Sequence, residues 1–342
     1  PLASNPMCGR FASTSKVDEI IEALGVEEVR TEPLPPRYNV APTAQIYAVA
    51  TSRRPIPDDG VEDDEDGSAD EGEESVSDAG RLHRVLGTFR WGLVPSWAKD
   101  ISVGYKMINA RSEGIAERPA YRRALLKRRC IIPVDYYYEW QARPASQMAV
   151  LLGAGGEGAG GEGAGGYGAG RGDRADSGEA DSGKADSGKA DSGKADSGKG
   201  SAGKGRAKKP KAPPKLPWAI HRADGRPMLM AGLWEVWHDP ANPEAEPVRS
   251  CTIVTTAANA ALAAIHDRMP AILDSAAADA WLDPDLVDKE AIQEILRPAP
   301  PEWFAAHPIS TRVNRVGTDG SDLLDPIPDP PAGVDLGVHL PR

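Results

Sequence analysis

The chain is long enough for two average domains, but parts of its 342 residues are too poor in apolar side chains to fold around a core. Its formal net charge of −11 argues against nucleic acid as a partner. Residues 57–80, 153–215 and 317–342 carry that imbalance, however, and the remaining chain has a net charge of +2 with clustered arginines. One domain with inserts is therefore expected, and DNA stays a compatible partner.

The cysteines exclude two common classes of small protein. Cys8, Cys130 and Cys251 are an odd number and lack the CxxC or Cys/His spacing of a zinc site. They predict neither a disulfide framework nor a metal centre, and they favour the reducing interior of a cell. No run of about 18 apolar residues could cross a membrane, and residues 1–7 do not resemble a signal peptide. We therefore expect a soluble, cytoplasmic protein.

Apolar residues recur at helical spacing near the N-terminus, at Val17, Ile20, Ile21 and Leu24. A cap among Ser13, Thr14 and Ser15 and a terminating Gly25 predict a short helix there. Two later segments have the composition of disordered chain: residues 57–80 are acidic, and residues 153–214 contain five ADSG(E/K) pentads and a basic end. Neither can bury enough apolar area to offset the entropy of ordering.

Strand-like runs dominate the rest of the chain, at 46–51, 82–91, 129–134, 148–152, 218–221, 228–237 and 251–255. Helical patterns cover 257–264, 275–282 and 289–296. Because strand and helix rarely alternate, the pattern predicts an α+β fold with a mostly antiparallel, barrel-like sheet and peripheral helices. The insert that begins at residue 153 would then lengthen one hairpin.

Six short segments concentrate residue types that packing alone does not require. They are MCGRF at 7–11, RYNVAP at 37–42, RWGLVPSW at 90–97, NARSE at 109–113, YEW at 138–140 and HDRMP at 266–270. Each is weak alone, but together and in this order they closely resemble the SRAP family of SOS-response-associated peptidases, which shield abasic sites in DNA by crosslinking to them. The resemblance covers nearly all of a domain at 7–316 apart from the two inserts, with a Pro/Asp-rich tail at 317–342.

The resemblance implies a sensor of abasic sites in single-stranded DNA that uses an N-terminal cysteine. An abasic sugar is partly an open-chain aldehyde, which a neutral amine attacks to give an imine. An α-amine, with a pKa of about 8 against about 10.4 for lysine, is the better nucleophile at neutral pH. The thiol of the same residue can then close a thiazolidine. Cys8 qualifies only as the first residue, so we expect residues 1–6 to be absent or removed and Met7 to be cleaved.

Three further side chains are candidates for the chemistry. Partial burial of Glu139 among aromatic residues would raise its pKa and let it transfer protons. The resemblance implies that this glutamate assists the opening of the sugar ring and the activation of the amine. The alternative is that Glu139 only forms an ion pair with an arginine. His266 can transfer a proton at the sugar oxygen or the imine. Asn109 can orient the amine or the opened sugar by hydrogen bonds, unless it is a turn residue. Tyr136 stands where the family commonly has glycine.

The remaining candidates would contact DNA, and they are Arg10, Asn39, Pro42, Trp91, Arg111 and Arg268. The arginines could grip phosphates beside the lesion, although Arg111 could instead pair with Glu113. Trp91, Pro42 and Trp97 could supply a stacking or wedge surface. Since an abasic site has no base to read, we expect binding independent of sequence.

Two rival functions stay open. In one, the protein is a cysteine peptidase limited to its own leader, with Cys8 as nucleophile and His266 or Glu139 as base. In the other, it is a non-catalytic module for single-stranded DNA. The motifs imply no cofactor and no metal. We expect a monomer that is associated with the nucleoid when it is bound to DNA.

Overall fold

The computed structural model describes residues 8–53, 81–142 and 215–327. The predicted strand at 148–152, the acidic segment, the low-complexity insert and the proposed leader therefore lie outside the described residues. Two antiparallel strands, at 136–141 and 216–222, flank the low-complexity insert. This arrangement agrees with the expectation that the insert lengthens a hairpin.

Five strands form the first sheet: β1 (Phe11–Ser13), β3 (Arg37–Val40), β8 (Tyr136–Gln141), β9 (Leu216–Arg222) and β14 (Phe304–Pro308). Their order is β14–β9–β8–β1–β3, and every pairing is antiparallel. The central pair β1–β8 sets Phe11 opposite Tyr137. This sheet carries residues of the first, second and fifth sequence motifs.

Nine strands form the second sheet: β2 (Glu28–Val29), β4 (Gln45–Arg53), β5 (Leu82–Trp91), β6 (Asn109–Arg111), β7 (Arg129–Val134), β10 (Met228–Trp237), β11 (Val248–Ala257), β12 (Arg268–Pro270) and β13 (Ile272–Leu273). The main order is β12–β11–β10–β7–β4–β5–β2, with β13 on β10 and β6 on β11. Antiparallel pairing predominates, but β5 and β6 each pair with β11 in parallel, as β2 does with β5. The mixed, sheet-rich fold is confirmed, while the barrel-like form stays a prediction.

Side-chain alternation along the strands divides the core into two layers. Cys130 and Ile132 of β7 face a cluster shared with Phe11 and Tyr137 of the first sheet. Ile131, between them, faces the opposite cluster, which the helices cover. The first layer therefore lies between the two sheets, and it encloses Cys8.

Four α-helices lie within the described ranges: α1 (Val17–Leu24), α2 (Arg122–Lys127), α3 (Ser275–Leu282) and α4 (Lys289–Ile295). The helices predicted at 17–24 and 275–282 are confirmed, the one at 289–296 ends one residue earlier, and α2 was not predicted. Gly25 ends α1 in the left-handed conformation, with φ 57°. The predicted caps are wrong, because the backbone N–H groups of Thr14 and Ser15 bind Asp135 and the helix begins after Lys16.

The helix predicted over 257–264 is wrong. Ala257 ends β11, and turns follow it. The Asn259 side chain accepts a hydrogen bond from Leu262 N at 3.1 Å and donates one to Ala299 O at 2.9 Å. These bonds stabilise a compact turn despite the alanine-rich, helix-favouring sequence.

The chain remains packed beyond the predicted domain end at residue 316. Asp319 accepts a hydrogen bond from Tyr38 N at 2.6 Å, and Leu323 is buried. Ile309 forms a bridge with Pro326. Residues 317–327 are thus part of the folded unit, while the rest of the proposed tail lies outside the described residues.

Candidate active site

The backbone nitrogen of Cys8 lies 2.5 Å from Oε1 of Glu139 and donates a hydrogen bond to it. The β1–β8 pairing creates this contact, because Tyr138 N also binds Arg10 O at 3.0 Å and so aligns the two chain segments. Glu139 shares a strand face with Tyr137, which points into the layer between the sheets. Cys8 has φ 43°, a left-handed conformation that is uncommon for residues other than glycine.

Burial dominates the electrostatics of this pair. Glu139 is 2% exposed, and desolvation raises its pKa to about 8, although the hydrogen bond from Cys8 acts in the opposite direction. The pKa of the Cys8 thiol is also raised well above its usual value, by burial first and by the charge of Glu139 second. At neutral pH the carboxyl group is therefore mostly protonated and the thiol is not ionised.

His266 belongs to the same electrostatic environment. Lys215 and Asp267 affect the pKa of both His266 and Glu139. The Gln141 side chain at the end of β8 donates to Ala264 O at 2.9 Å, which ties that strand to the segment before His266. The structure thus groups the predicted histidine with the Cys8–Glu139 pair.

Two neighbours compete for Nδ1 of His266. The backbone N–H of Arg268 donates to this atom at 3.1 Å, and Oδ1 of Asp267 lies 3.0 Å from it. Burial lowers the pKa of His266, so the neutral ring is favoured at neutral pH. In that form Nδ1 accepts from Arg268 and the proton resides on Nε2.

Asn109 is placed by the packing around Trp91. Its strand β6 pairs with β11, where Asn109 is opposite Ile253. Trp91 donates from Nε1 to Ile108 O at 3.1 Å and packs on Phe11 with 4.8 Å between ring centroids. Trp91 therefore connects the segment before Asn109 with β1, which follows Cys8.

The expected stacking role of Trp91 is not supported, since this side chain is 0% exposed. Asn39 is also buried, and its amide donates to the carbonyl groups of Val313, Arg315 and Thr318. Arg10 is half-buried and binds Asn39 and the Val313 carbonyl group. Trp91, Asn39 and Arg10 are thus held by partners within the fold, and their contact with DNA stays a prediction.

The two other arginines differ in what they bind. Both carboxylate oxygens of Glu113 accept from Arg268, at 3.2 Å to Nη1 and 2.8 Å to Nη2. Nη2 also donates to Thr255 O at 2.7 Å, so its donors are used within the protein. Glu113 thus pairs with Arg268, and it also interacts electrostatically with Arg111. A phosphate contact of Arg268 stays a prediction. Arg111 is exposed and forms no ion pair with the described residues.

Two exposed aromatic side chains lie on the segment between Trp91 and Asn109. Trp97 is 66% exposed and Tyr105 is 64% exposed, while Pro42 is half-buried. Trp97 therefore retains its expected accessibility. Sequence reasoning missed Tyr105, and the signal that could have found it was an aromatic residue between Gly104 and Lys106, shortly before NARSE.

A large cavity lies elsewhere. It has a volume of about 930 Å³ and is bordered by α1, the β9–β10 turn and the start of α3, away from Cys8, Glu139 and His266. Within the three described ranges, no group of three or more His, Cys, Asp or Glu side chains could hold a metal ion. None of the helices in those ranges is long and apolar enough to cross a bilayer.

Comparison with known proteins identifies the family. The family model of the SOS response associated peptidase (SRAP) matches residues 7–153 and 206–316. The chain belongs to this family. It is 30% identical over 320 residues to the abasic site processing protein YoqW of Bacillus subtilis, covering 93% of this chain and 99% of that protein.

A vertebrate relative supports the same assignment, and a solved structure shares the fold. The abasic site processing protein HMCES of Gallus gallus is 31% identical over 255 residues, which cover 73% of this chain and 60% of that protein. A crystal structure from Bacteroides thetaiotaomicron superposes with a TM-score of 0.58 at 18% identity, covering 94% of this chain and all of that one. The structural likeness concerns the fold.

Proposed function

We propose that the protein recognises abasic sites in single-stranded DNA and captures them covalently as a thiazolidine at Cys8. The observation that carries the proposal is the 2.5 Å contact between the Cys8 nitrogen and the buried Glu139 carboxyl group. Relatives that cover nearly the whole chain are abasic site processing proteins. The active form begins at Cys8, because only a free α-amine can form the ring.

Capture requires three bond changes. The closed sugar opens to an aldehyde as a proton moves from its hydroxyl group to the ring oxygen. The Cys8 amine adds to the aldehyde carbon, and water leaves to give an imine. The thiol sulfur then adds to the imine carbon while its proton goes to nitrogen. The net products are a thiazolidine and one water, without any oxidant or cofactor.

Glu139 is suited to both proton transfers. With a pKa of about 8 it is a proton donor at neutral pH, and a positively charged amine at Cys8 would shift it towards the carboxylate that removes the amine proton. His266 presents its remaining proton from Nε2 towards the sugar, because Arg268 occupies Nδ1. Asn109 orients the opened sugar.

Arg111, Trp97 and Pro42 are the proposed DNA contacts. Arg111 binds a phosphate beside the lesion, and the exposed Trp97 stacks on a neighbouring base. Arg10, Asn39, Trp91 and Arg268 hold the reacting groups in place. No group in this arrangement needs to read a base, which supports binding independent of sequence.

The same contact supports a second candidate, self-cleavage before Cys8. In a precursor, the Cys8 thiol attacks the carbonyl carbon of the preceding peptide bond and the Cys8 nitrogen leaves, protonated by the nearby Glu139. Water then hydrolyses the thioester, which releases the leader as a carboxylic acid and restores the thiol. Such cleavage would be a preparatory step for capture. A purely reversible DNA-binding module has no use for a buried carboxyl group at this nitrogen.

Intact mass spectrometry tests the proposal. The purified protein should have the mass of a chain that begins at Cys8. Incubation with an abasic single-stranded oligonucleotide should add the oligonucleotide mass minus one water, and an undamaged oligonucleotide should add nothing. An adduct formed while residues before Cys8 are still attached would overturn the mechanism, since an amide nitrogen cannot close the ring.

A further inference from the structure

The chain around α2 (Arg122–Lys127) carries charge of a single sign. Residues 118–129 contain six basic residues and no acidic residue. Four of them are exposed, and we name them the α2 cations: Arg118, Arg122, Arg123 and Lys127. None of the four forms an ion pair with another residue of the three described ranges. Their charge is therefore available to a partner.

A hollow of about 350 Å³ lies beside this helix. Arg122 and Arg123 line it together with Lys289, an exposed residue at the start of α4, and three apolar side chains. The pKa of the adjacent Arg128 is lowered by burial first and by the charge of Arg123 second. The second cause indicates a positive potential around α2 that neighbouring carboxylates do not cancel. The hollow thus suits an anionic ligand.

The α2 cations belong to a part of the fold that is separate from the candidate site. Leu125 of α2 packs in the cluster that contains Ile131 of β7, on the face of the second sheet that the helices cover. Cys8 belongs to the cluster on the opposite face, between the two sheets. A ligand of α2 is therefore distinct from a lesion held at Cys8.

The acidic segment, residues 57–80, has the complementary charge. It contains 12 acidic residues and no basic residue. It connects β4 to β5, and these two strands pair as far as Arg53 opposite Leu82. The two ends of the connecting chain are therefore neighbours that leave the sheet at a single place.

That place adjoins α2. Strand β4 is also antiparallel to β7, with Ala50 opposite Cys130. The next residue of β4, Thr51, therefore lies near Arg129, the first residue of β7. Since α2 ends two residues before Arg129, the chain beyond β4 begins next to the last turn of α2.

Contacts with the end of α3 place Thr51 and Arg129 close together. The Thr51 hydroxyl group donates to Leu282 O at 2.7 Å. Arg129 donates from Nε to Trp281 O and from Nη1 to Leu125 O, both at 2.6 Å. An extended chain spans about 3.3 Å per residue, whereas an α-helix rises only about 1.5 Å per residue. The acidic segment is therefore long enough to follow the whole of α2 from this point.

We propose that the acidic segment docks, within its own chain, on the α2 cations and in the hollow beside them. Two observations identify this occupant: the opposite charges of the two surfaces, and the position of the segment's ends next to α2. The tether keeps the local concentration of carboxylates far above that of an anion in free solution. Docking neutralises the positive potential on this face of the protein. The inference goes beyond the proposed function and does not depend on capture.

Zero-length crosslinking of the full chain without DNA tests the proposal. A carbodiimide joins a lysine amine to a carboxylate only when the two groups meet, and the proposed surface contains Lys127 and Lys289. Lys99 and Lys106 are the reference pair, because both are exposed and neither lines the hollow. In the monomer band, the acidic segment should be joined to the surface lysines roughly tenfold more often than to the reference pair, the effect of several weak ion pairs acting together. About 1 M salt, which shortens the screening length to about 3 Å, should abolish this excess.

Arg122→Gln/Arg123→Gln is the test variant. It should lower the excess severalfold, because it removes two of the five charges and leaves both surface lysines in place. Arg249→Gln/Arg315→Gln is the matched control, since it removes two exposed arginines that form no ion pair within the described ranges and do not line the hollow. The control should keep the wild-type pattern. Melting curves of both variants should match wild type, because all four side chains are on the surface.

Equal crosslinking to all four lysines, or an excess that the test variant retains, would overturn the proposal. A preference for the lysines at 184–211 would overturn it in favour of the basic part of the insert as the partner of the acidic segment. Crosslinks confined to a dimer band would overturn it in favour of contact with a second copy of the chain. Adduct formation with abasic DNA is a separate measurement, so failure of the proposed function and failure of this proposal are distinguishable.

Discussion

The Glu113 carboxylate binds both terminal nitrogens of Arg268, at 2.8 and 3.2 Å, while the backbone N–H of that arginine donates to Nδ1 of His266 at 3.1 Å. Arg268 therefore connects an anchoring carboxylate with the histidine of the candidate site. Arg111, which is exposed, has no such contacts among the described residues. Because Arg268 and Arg111 differ in what they bind, we predict that their functions are separable.

Replacing these arginines should separate DNA affinity from capture rate. Arg111→Ala should weaken binding by roughly 1–3 kcal/mol, the usual range for a charge-assisted contact. Arg268→Ala should mainly slow capture at saturating DNA, since it disturbs the surroundings of His266. Fluorescence anisotropy and single-turnover adduct formation measure the two quantities. Equal reductions in affinity in both variants would contradict this division.

The three cysteines should differ completely in capture. Cys8→Ala removes the sulfur that closes the ring, and no adduct should survive denaturation. Cys130→Ala and Cys251→Ala should form the adduct at the wild-type rate, because both thiols are buried in the core and neither residue can carry the terminal amine that the ring requires. Denaturing gel electrophoresis provides the measurement, and absence of the adduct in all three would refute the assignment.

Glu139→Gln should become more stable relative to wild type as pH rises. Burial raises the pKa of Glu139 from 4.5 to about 8, so between these values the folded protein retains a proton that the unfolded chain has released. The free energy of unfolding of wild type, relative to the glutamine variant, should therefore fall from about pH 4.5 to pH 8, by at most about 1.4 kcal/mol per pH unit. Urea denaturation at pH 5, 6, 7 and 8 provides the comparison.

The same variant should lose capture activity, because glutamine can neither donate nor accept the catalytic proton. Rates should fall at saturating DNA while affinity stays near wild type. A pure affinity defect, or a pH-independent stability difference, would argue against a buried and titratable carboxyl group.

Asp267→Asn should lower the pKa of His266. Desolvation lowers the pKa of His266, and the Asp267 carboxylate partly opposes this effect. Without that carboxylate, burial and the nearby cations Lys215 and Arg268 lower the pKa further. The decrease in the pKa of His266 should be small, because Asp267 is 88% exposed. Nitrogen-15 NMR titration of the imidazole should also find the neutral ring protonated at Nε2. A neutral ring protonated at Nδ1 would contradict the contact with Arg268.

Gly92→Ala should destabilise the protein far more than Gly317→Ala. Both glycines have positive φ, 122° and 88°, but a Cβ atom on Gly92 would lie 2.6 Å from Gly104 O, whereas nothing lies within 4 Å at Gly317. The close approach should add roughly 1–3 kcal/mol to the conformational strain. Thermal unfolding measures both, and similar melting temperatures would count against a tight contact beside Trp91.

The pattern of apolar residues was informative where burial alone determines conformation. It predicted β5, β7 and β10 at the observed bounds, because alternating or continuous apolar residues within one segment are enough to identify a strand. It failed at 257–264, where Asn259 binds the distant Ala299 carbonyl group and a turn replaces the alanine helix. Local propensity cannot include a partner forty residues away.

The sequence by itself determined the family and the chemical groups, because six motifs retain residue types that packing does not demand. Only the tertiary structure decided how those groups are used. The pairing of β1 with β8 places the Cys8 nitrogen on Glu139, and burial between two sheets moves the pKa of that carboxyl group towards neutrality. Trp91 and Asn39 are likewise buried, and Arg268 is bound to Glu113. The exposure and the pKa of a side chain depend on neighbours that folding brings together from distant parts of the chain. The order of residues in the sequence does not show which residues those neighbours are.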